Sequence, residues 1–155
     1  MLDIKSYAAF ERIDPIHKGW SSDKKYYVET ATNEKLLLRI ADISQYNKKK
    51  KEFEVMKRLA ASGVPVSQPV EFGICDNGQR VYSLFTWCDG EEAEIVLPKL
   101  PETMQYVLGV TAGQILRKIH EILPKWSKNR GIPSLTEKLC FGSLLKNCII
   151  RTNVL

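Results

Sequence analysis

The segment that most constrains this fold is an apolar run holding one cation, Leu36-Leu37-Leu38-Arg39-Ile40. Branched aliphatic residues in so short a run predict a buried strand. A charge on that strand needs a partner, because an unpaired ion away from water is costly. The next element offers one. Lys48 to Leu59 sets Phe53, Met56 and Leu59 at helical spacing, with Glu52 early in the helix. The sequence therefore predicts a strand cation, Arg39, oriented by a helix glutamate, Glu52.

The neighbouring stretches supply a sheet around that strand. Tyr7 to Ile13 and Tyr26 to Thr30 read as two strands, the second aromatic and β-branched. Between them Pro15 to Lys24 reads as a turn carrying Gly19, Ser21, Ser22 and Asp23. Such a turn can lay N–H groups and hydroxyls over an anion, although it is neither G-x-G-x-x-G nor a Walker loop. Asn33-Glu34 leads into the central strand. The helix predicted from Tyr46 to Ala61 stops at Ser62-Gly63, with Pro65 just beyond. Val70 to Cys75 and Arg80 to Phe85 are two further strands, joined by the hairpin signal Asp76-Asn77-Gly78. Thr86 to Glu92 then leaves the sheet as a connector. A second helix follows over Glu102 to Ile122, where Met104, Leu108, Ala112, Ile115, Leu116, Ile119 and Ile122 keep the helical period. The predicted class is α+β: a five-stranded antiparallel sheet with one packed helix, then a connector and one long helix.

Charge and cysteines narrow the function. The net charge is +5, but residues 1–122 balance, and the whole excess lies in residues 123–155, where six cations face Glu137 alone. Lys48 to Lys51 reads as a solvated helix entry, since one short basic run is weak support for a phosphate-backbone surface. No nucleic-acid partner is expected. No apolar stretch reaches the roughly 20 residues of a membrane span, and Met1 to Lys5 has no apolar signal core. The expected setting is cytoplasmic and free of membrane. Cys75, Cys88, Cys140 and Cys148 show no C-x-x-C spacing; they read as reduced thiols rather than zinc ligands.

With these elements in order, the stretch from about Gly19 to Glu121 resembles the aminoglycoside phosphotransferase family of small-molecule kinases. The residues that carry the likeness are Leu37-Leu38-Arg39-Ile40, Glu52 with Met56 and Leu59, and Gly63-Val64-Pro65-Val66. Tyr82 to Trp87, Asp89-Gly90-Glu91, Leu108-Gly109, Ala112-Gly113, Leu116 and Ile119-His120 complete the set. The resemblance implies a protein-kinase-like N-terminal lobe followed by the start of a second lobe. It implies ATP or GTP with magnesium as cofactor, and an aminoglycoside-like small molecule as acceptor in the full-length family. Arg39 would hold nucleotide phosphate where kinases usually carry a strand lysine, and Glu52 would orient it. Ser21, Ser22 and Asp23 would line the phosphate loop. Phe85, Thr86, Trp87 and Cys88 would form the hinge whose main chain reads the base edge. Asp89, Glu91 and Glu92 in the connector would face the cationic acceptor.

One element of the family pattern is missing from these 155 residues. Phosphoryl transfer needs an aspartate beside the acceptor hydroxyl and carboxylates on magnesium. The family takes them from an H-G-D-x-x-x-x-N-like loop and a later aspartate. Here the histidines are His17 and His120, neither followed two residues on by aspartate, and Asp89 is the last aspartate. No catalytic or metal residue is assigned, and the enzyme question stays open. The expected organisation is a nucleotide-binding lobe over 1–87, a connector and first helix of a truncated second lobe over 88–123, and a basic tail of unrelated character over 124–155. A frameshift and an evolved binding tail are both open for that tail. The leading expectation is a lobe that binds nucleotide weakly and is inactive alone. The alternatives are a non-catalytic partner-binding module on a kinase-lobe scaffold and, more remotely, a nucleic-acid-binding α+β domain.

Overall fold

The computed structural model describes residues 3–17, 22–91 and 93–122. Gly19, Trp20, Ser21, Glu92 and the predicted tail over 124–155 lie outside the described residues. Two compact units divide the chain, the first made of Met1–Ala60 and Ser67–Trp87, the second of Ala61–Val66 and Cys88–Leu155.

The first unit is a five-stranded antiparallel sheet in the order β1-β2-β3-β5-β4. Its strands are β1 (Phe10–Ile16), β2 (Lys24–Thr30), β3 (Lys35–Asp42), β4 (Pro69–Cys75) and β5 (Arg80–Thr86), and α1 (Tyr46–Ala61) lies between β3 and β4 in sequence. β3 sits in the middle, as its apolar run demands. Leu36, Leu38 and Ile40 alternate onto one face and pack with Val28, Cys75, Tyr82, Leu84 and Ile4. The opposite face carries Phe72 and Phe85, whose rings lie 5.3 and 5.5 Å from that of Phe53 on α1. Arg39 is on this helix-covered face, opposite Lys25 on β2 and Ser83 on β5.

The first strand begins three residues later than the sequence suggests. Tyr7–Ala9 is a 3-10 turn, and β1 runs through Pro15 to Ile16, residues read as turn from the sequence. Proline fits there because β1 is an edge strand and needs no donor on its outer side. The predicted hairpin between β4 and β5 is present. Asp76, Asn77 and Gly78 all take positive φ, and Asp3 accepts the N–H groups of Asp76 and Asn77 on its two carboxylate oxygens at 2.9 and 3.0 Å. Residues ahead of β1 thereby clasp the far hairpin, with Ile4 buried in the core between.

The second unit holds α2 (Ala93–Val96), a short element the sequence reading leaves in a connector, and α3 (Glu102–Ile122), with the bounds predicted for the long helix. Leu108 and Ile119 are its buried positions, while Tyr106, Val107 and Val110 are exposed. Gly63, at φ +69°, follows the end of α1, and its carbonyl accepts from Lys118 on α3. Among the described residues no helix is long and apolar enough to cross a membrane.

Candidate phosphate site

The cation of the central strand does find a carboxylate. Arg39 Nη2 donates to Asp23 Oδ2 at 2.5 Å, and the Asp23 side chain is 2% exposed. Asp23 immediately precedes β2, two residues ahead of Lys25, which faces Arg39 across the ladder. Sheet register therefore brings the turn to the cation. A second cation reaches the same oxygen. Lys49 Nζ on α1 donates to Asp23 Oδ2 at 2.6 Å and lies 3.4 Å from Glu52 Oε2, one turn further along the helix.

This corrects the expected pair. Arg39 is bonded to Asp23, and Glu52 is bonded to Lys49, so the strand cation and the helix glutamate are linked through an intervening carboxylate and ammonium. The physical reason is helix geometry. Lys49 at i−3 shares the face of Glu52 and takes its charge locally. Lys49 also corrects the reading of the lysine run: Lys48, Lys50 and Lys51 are exposed, whereas Lys49 is buried. The signal was in the period. The stripe Leu59, Met56 and Phe53 or Glu52 continues back to position 49.

The electrostatics favour an anion. Burial would raise the Asp23 carboxyl, but the hydrogen bond from Lys49 and the charge of Arg39 hold it below its ordinary value. The Lys25 ammonium is held below its ordinary value by burial and by Arg39, with Asp23 opposing and Lys49 adding. Two cations, Arg39 and Lys49, thus meet on one oxygen of Asp23, with the charge of Lys25 nearby. Arg39 Nε is buried and has no hydrogen-bond partner, an unusual cost for a charged donor. A nucleotide phosphate fits this set. Magnesium does not: Asp23 and Glu52 are both engaged by cations. Elsewhere, Asp3, Cys75 and Asp76 bring possible ligand atoms within 4.8 Å of one another, but the Asp3 oxygens cap the hairpin and Asp76 pairs with Arg80.

The remaining predicted residues are placed variously. Ser22 is exposed next to Asp23 in the chain. Phe85 is buried against Phe53. Thr86 N–H donates to Gln68 O and Trp87 N–H to Lys35 O, both at 2.9 Å, so these two hinge donors are used within the sheet. The Trp87 ring meets Tyr27 edge-on at 5.0 Å. Cys88, Asp89 and Glu91 belong to the second unit, where Asp89 and Glu91 are exposed. Among the described residues, Asp23, Arg39 and Glu52 are drawn into one cluster.

The sequence pattern of the phosphotransferase enzyme family (APH) matches residues 12–139, most of the chain and all five strands but the start of β1. The chain belongs to that family. Among solved structures, an aminoglycoside-3′-phosphotransferase of type VIII is similar at a TM-score of 0.56 and 18% identity, covering 77% of this chain and 42% of its own. An amicoumacin kinase solved with AMP-PNP, Ca2+ and Ami is similar at a TM-score of 0.59 and 14% identity, covering 81% of this chain and 40% of its own. At such identities the likeness is one of fold: a kinase-like α+β lobe. The phosphotransferase-family chain spans about two-fifths of the length of these kinases. A comparison with curated proteins gives no significant match.

Proposed function

We propose that the first unit is the nucleotide-binding lobe of a small-molecule kinase, with Arg39 holding phosphate of ATP or GTP. The observation that carries the reading is the buried, unpartnered Nε–H of Arg39 on the central strand. Membership of a phosphotransferase family supports it, as does the AMP-PNP bound to the similar amicoumacin kinase. Arg39 supplies a fixed positive charge and a planar fork for phosphate oxygens. Glu52 keeps the neighbouring ammonium of Lys49 in place. Asp89, Glu91 and Glu92 would face a cationic, aminoglycoside-like acceptor, and the cytoplasm supplies both the nucleotide and a reducing setting for the cysteines.

These 155 residues by themselves are proposed to transfer no phosphate. Beyond Asp89 the carboxylates are glutamates alone, and in the first unit Asp23 and Glu52 are engaged by cations. Two carboxylates converging on magnesium are what such chemistry needs. The test uses the purified chain. Calorimetric titration with AMP-PNP and a GTP analogue should show weak binding that Arg39→Ala abolishes and exposed Lys48→Ala leaves nearly intact. Equal losses would reduce the site to general electrostatics. Radiolabelled ATP or GTP with magnesium and an aminoglycoside panel should give no turnover above a heat-killed control. Turnover abolished by Arg39→Ala would overturn the second claim.

A further inference from the structure

One carboxylate oxygen carries two cations in the middle of this lobe. Asp23 Oδ2 accepts from Arg39 Nη2 at 2.5 Å and from Lys49 Nζ at 2.6 Å. A guanidinium pairs most strongly when two of its N–H groups meet two oxygens of one anion. Arg39 is not paired in that way, because its Nε–H is buried and unbonded. Asp23 therefore neutralises Arg39 without filling its fork. A terminal phosphate presents three oxygens and can take Nε–H, Nη2–H and the Lys49 ammonium together.

Charge and topology agree with that geometry. With Asp23 withdrawn, Arg39 and Lys49 would share the single negative charge of Glu52 within this cluster, one negative charge short of neutrality. A phosphate group of a polyphosphate carries a charge of that order. Asp23 lies outside the strands, immediately before β2, so moving it leaves the sheet ladder intact. Lys49 would not follow it, since Glu52 holds the ammonium at 3.4 Å from the same helix.

We propose that Asp23 is an internal stand-in for phosphate: it occupies the anion position between Arg39 and Lys49, and an incoming polyphosphate displaces it and takes Lys49 as a second phosphate cation. The proposal rests on the nucleotide reading above and adds Lys49 as a binding residue, Glu52 as its positioning residue and Asp23 as a competitor. Polyphosphate affinity is then set by an exchange of anions rather than by filling an open site.

The experiment titrates the full chain with inorganic tripolyphosphate, which has no base or sugar, and in parallel with AMP-PNP. Lys49→Met should weaken tripolyphosphate binding about tenfold or more, the loss expected for one charge-assisted hydrogen bond. Exposed Lys50→Met should change it less than about twofold, as befits a solvated charge. Lys49→Arg should restore part of the loss, and Asp23→Asn should tighten binding. Should Asp23→Asn fail to fold, the side-chain carboxyl carbon resonance of Asp23 in the unaltered chain serves instead, and it should shift on saturation with tripolyphosphate. Equal losses from Lys49→Met and Lys50→Met would overturn the proposal, as would a carboxyl resonance that stays put at saturation. The two readings fail differently. Tripolyphosphate binding with the expected variant pattern, but no gain from the nucleoside of AMP-PNP, would sink the nucleotide reading and keep the anion exchange. Tight AMP-PNP binding indifferent to Lys49 would do the reverse.

Discussion

Lys49 on α1 and Asp23 ahead of β2 meet at 2.6 Å although 26 residues separate them, and both side chains are nearly closed off from water, at 9% and 2% exposure. Removing one member of a buried pair leaves the other charge uncompensated, which costs about 3–5 kcal/mol in the general case. Here Arg39 softens the loss, because it stays paired with Asp23. Lys49→Ala should therefore destabilise the chain by about 2 kcal/mol, whereas exposed Lys50→Ala should stay within about 0.5 kcal/mol. Urea unfolding of the two variants checks the contrast. Similar midpoints would mean that the Lys49 ion pair adds no net stability.

Tyr82 and Gly73 make a second interlocked pair. They are partners across β4 and β5, and a β-carbon at Gly73 would stand 2.8 Å from the Tyr82 ring and hydroxyl. That ring has no easy retreat: it is buried, and its hydroxyl donates to Glu71, which also accepts from Ser6. Gly73→Ala should cost about 1–3 kcal/mol, the range for overpacking a filled site. The check is the thermal midpoint, and an unchanged midpoint would show that the ring gives way.

The same tyrosine sets an alkaline limit. Burial and the Glu71 carboxylate raise the Tyr82 hydroxyl from 10.0 to about 12. Its folded value lies above the unfolded one, so its contribution is full below pH 10 and is lost as pH rises towards 12. Tyr82→Phe should flatten the fall in stability across that window while leaving the slope below it unchanged. Alkaline unfolding curves with a tyrosinate absorbance readout compare the two. Identical slopes would show that Tyr82 ionises freely in the folded chain.

How much of this was legible in the sequence follows from what kind of signal each residue leaves. Leu36 to Ile40 announces β3 because a short apolar run is a signal carried within one strand, and Asp76-Asn77-Gly78 announces its hairpin because positive φ is a local demand. Pro15 misled because its placement depends on β1 being an edge, a property of the assembled sheet. The pairing of Arg39 was missed for the same reason. Asp23 reaches it through the β2–β3 register, and no spacing along the chain encodes that. Lys49 left a faint trace, at the apolar phase of α1, but four consecutive lysines look alike until the helix is docked.

Asp23 should also decide how the chain responds to acid. Lys49 and Arg39 hold its carboxyl below the ordinary value against the opposing effect of burial. A depressed folded value means stability that is present above the unfolded pKa, about 3.9 for aspartate, and lost as pH falls through the folded one. Asp3 and Asp42 are depressed as well, Asp3 by backbone N–H groups of the hairpin and Asp42 by Ser44. Both persist in an Asp23→Asn variant, so their share cancels in the comparison. The charged groups around Asp23 are Arg39, Lys49 and Lys25, and Glu52, which reaches it through Lys49. Asparagine keeps the shape and one acceptor oxygen but loses the charge that neutralises those cations. At pH 7 the variant should be less stable than the unaltered chain by about 2 kcal/mol, below the full cost of breaking a buried pair. As pH drops below about 4 the gap should close, because protonation then does to Asp23 what the substitution did. Chemical unfolding at a series of pH values from neutral to strongly acidic measures the gap directly. A difference that stays constant with pH would show that Asp23 acts through its shape and hydrogen bonding rather than through its charge.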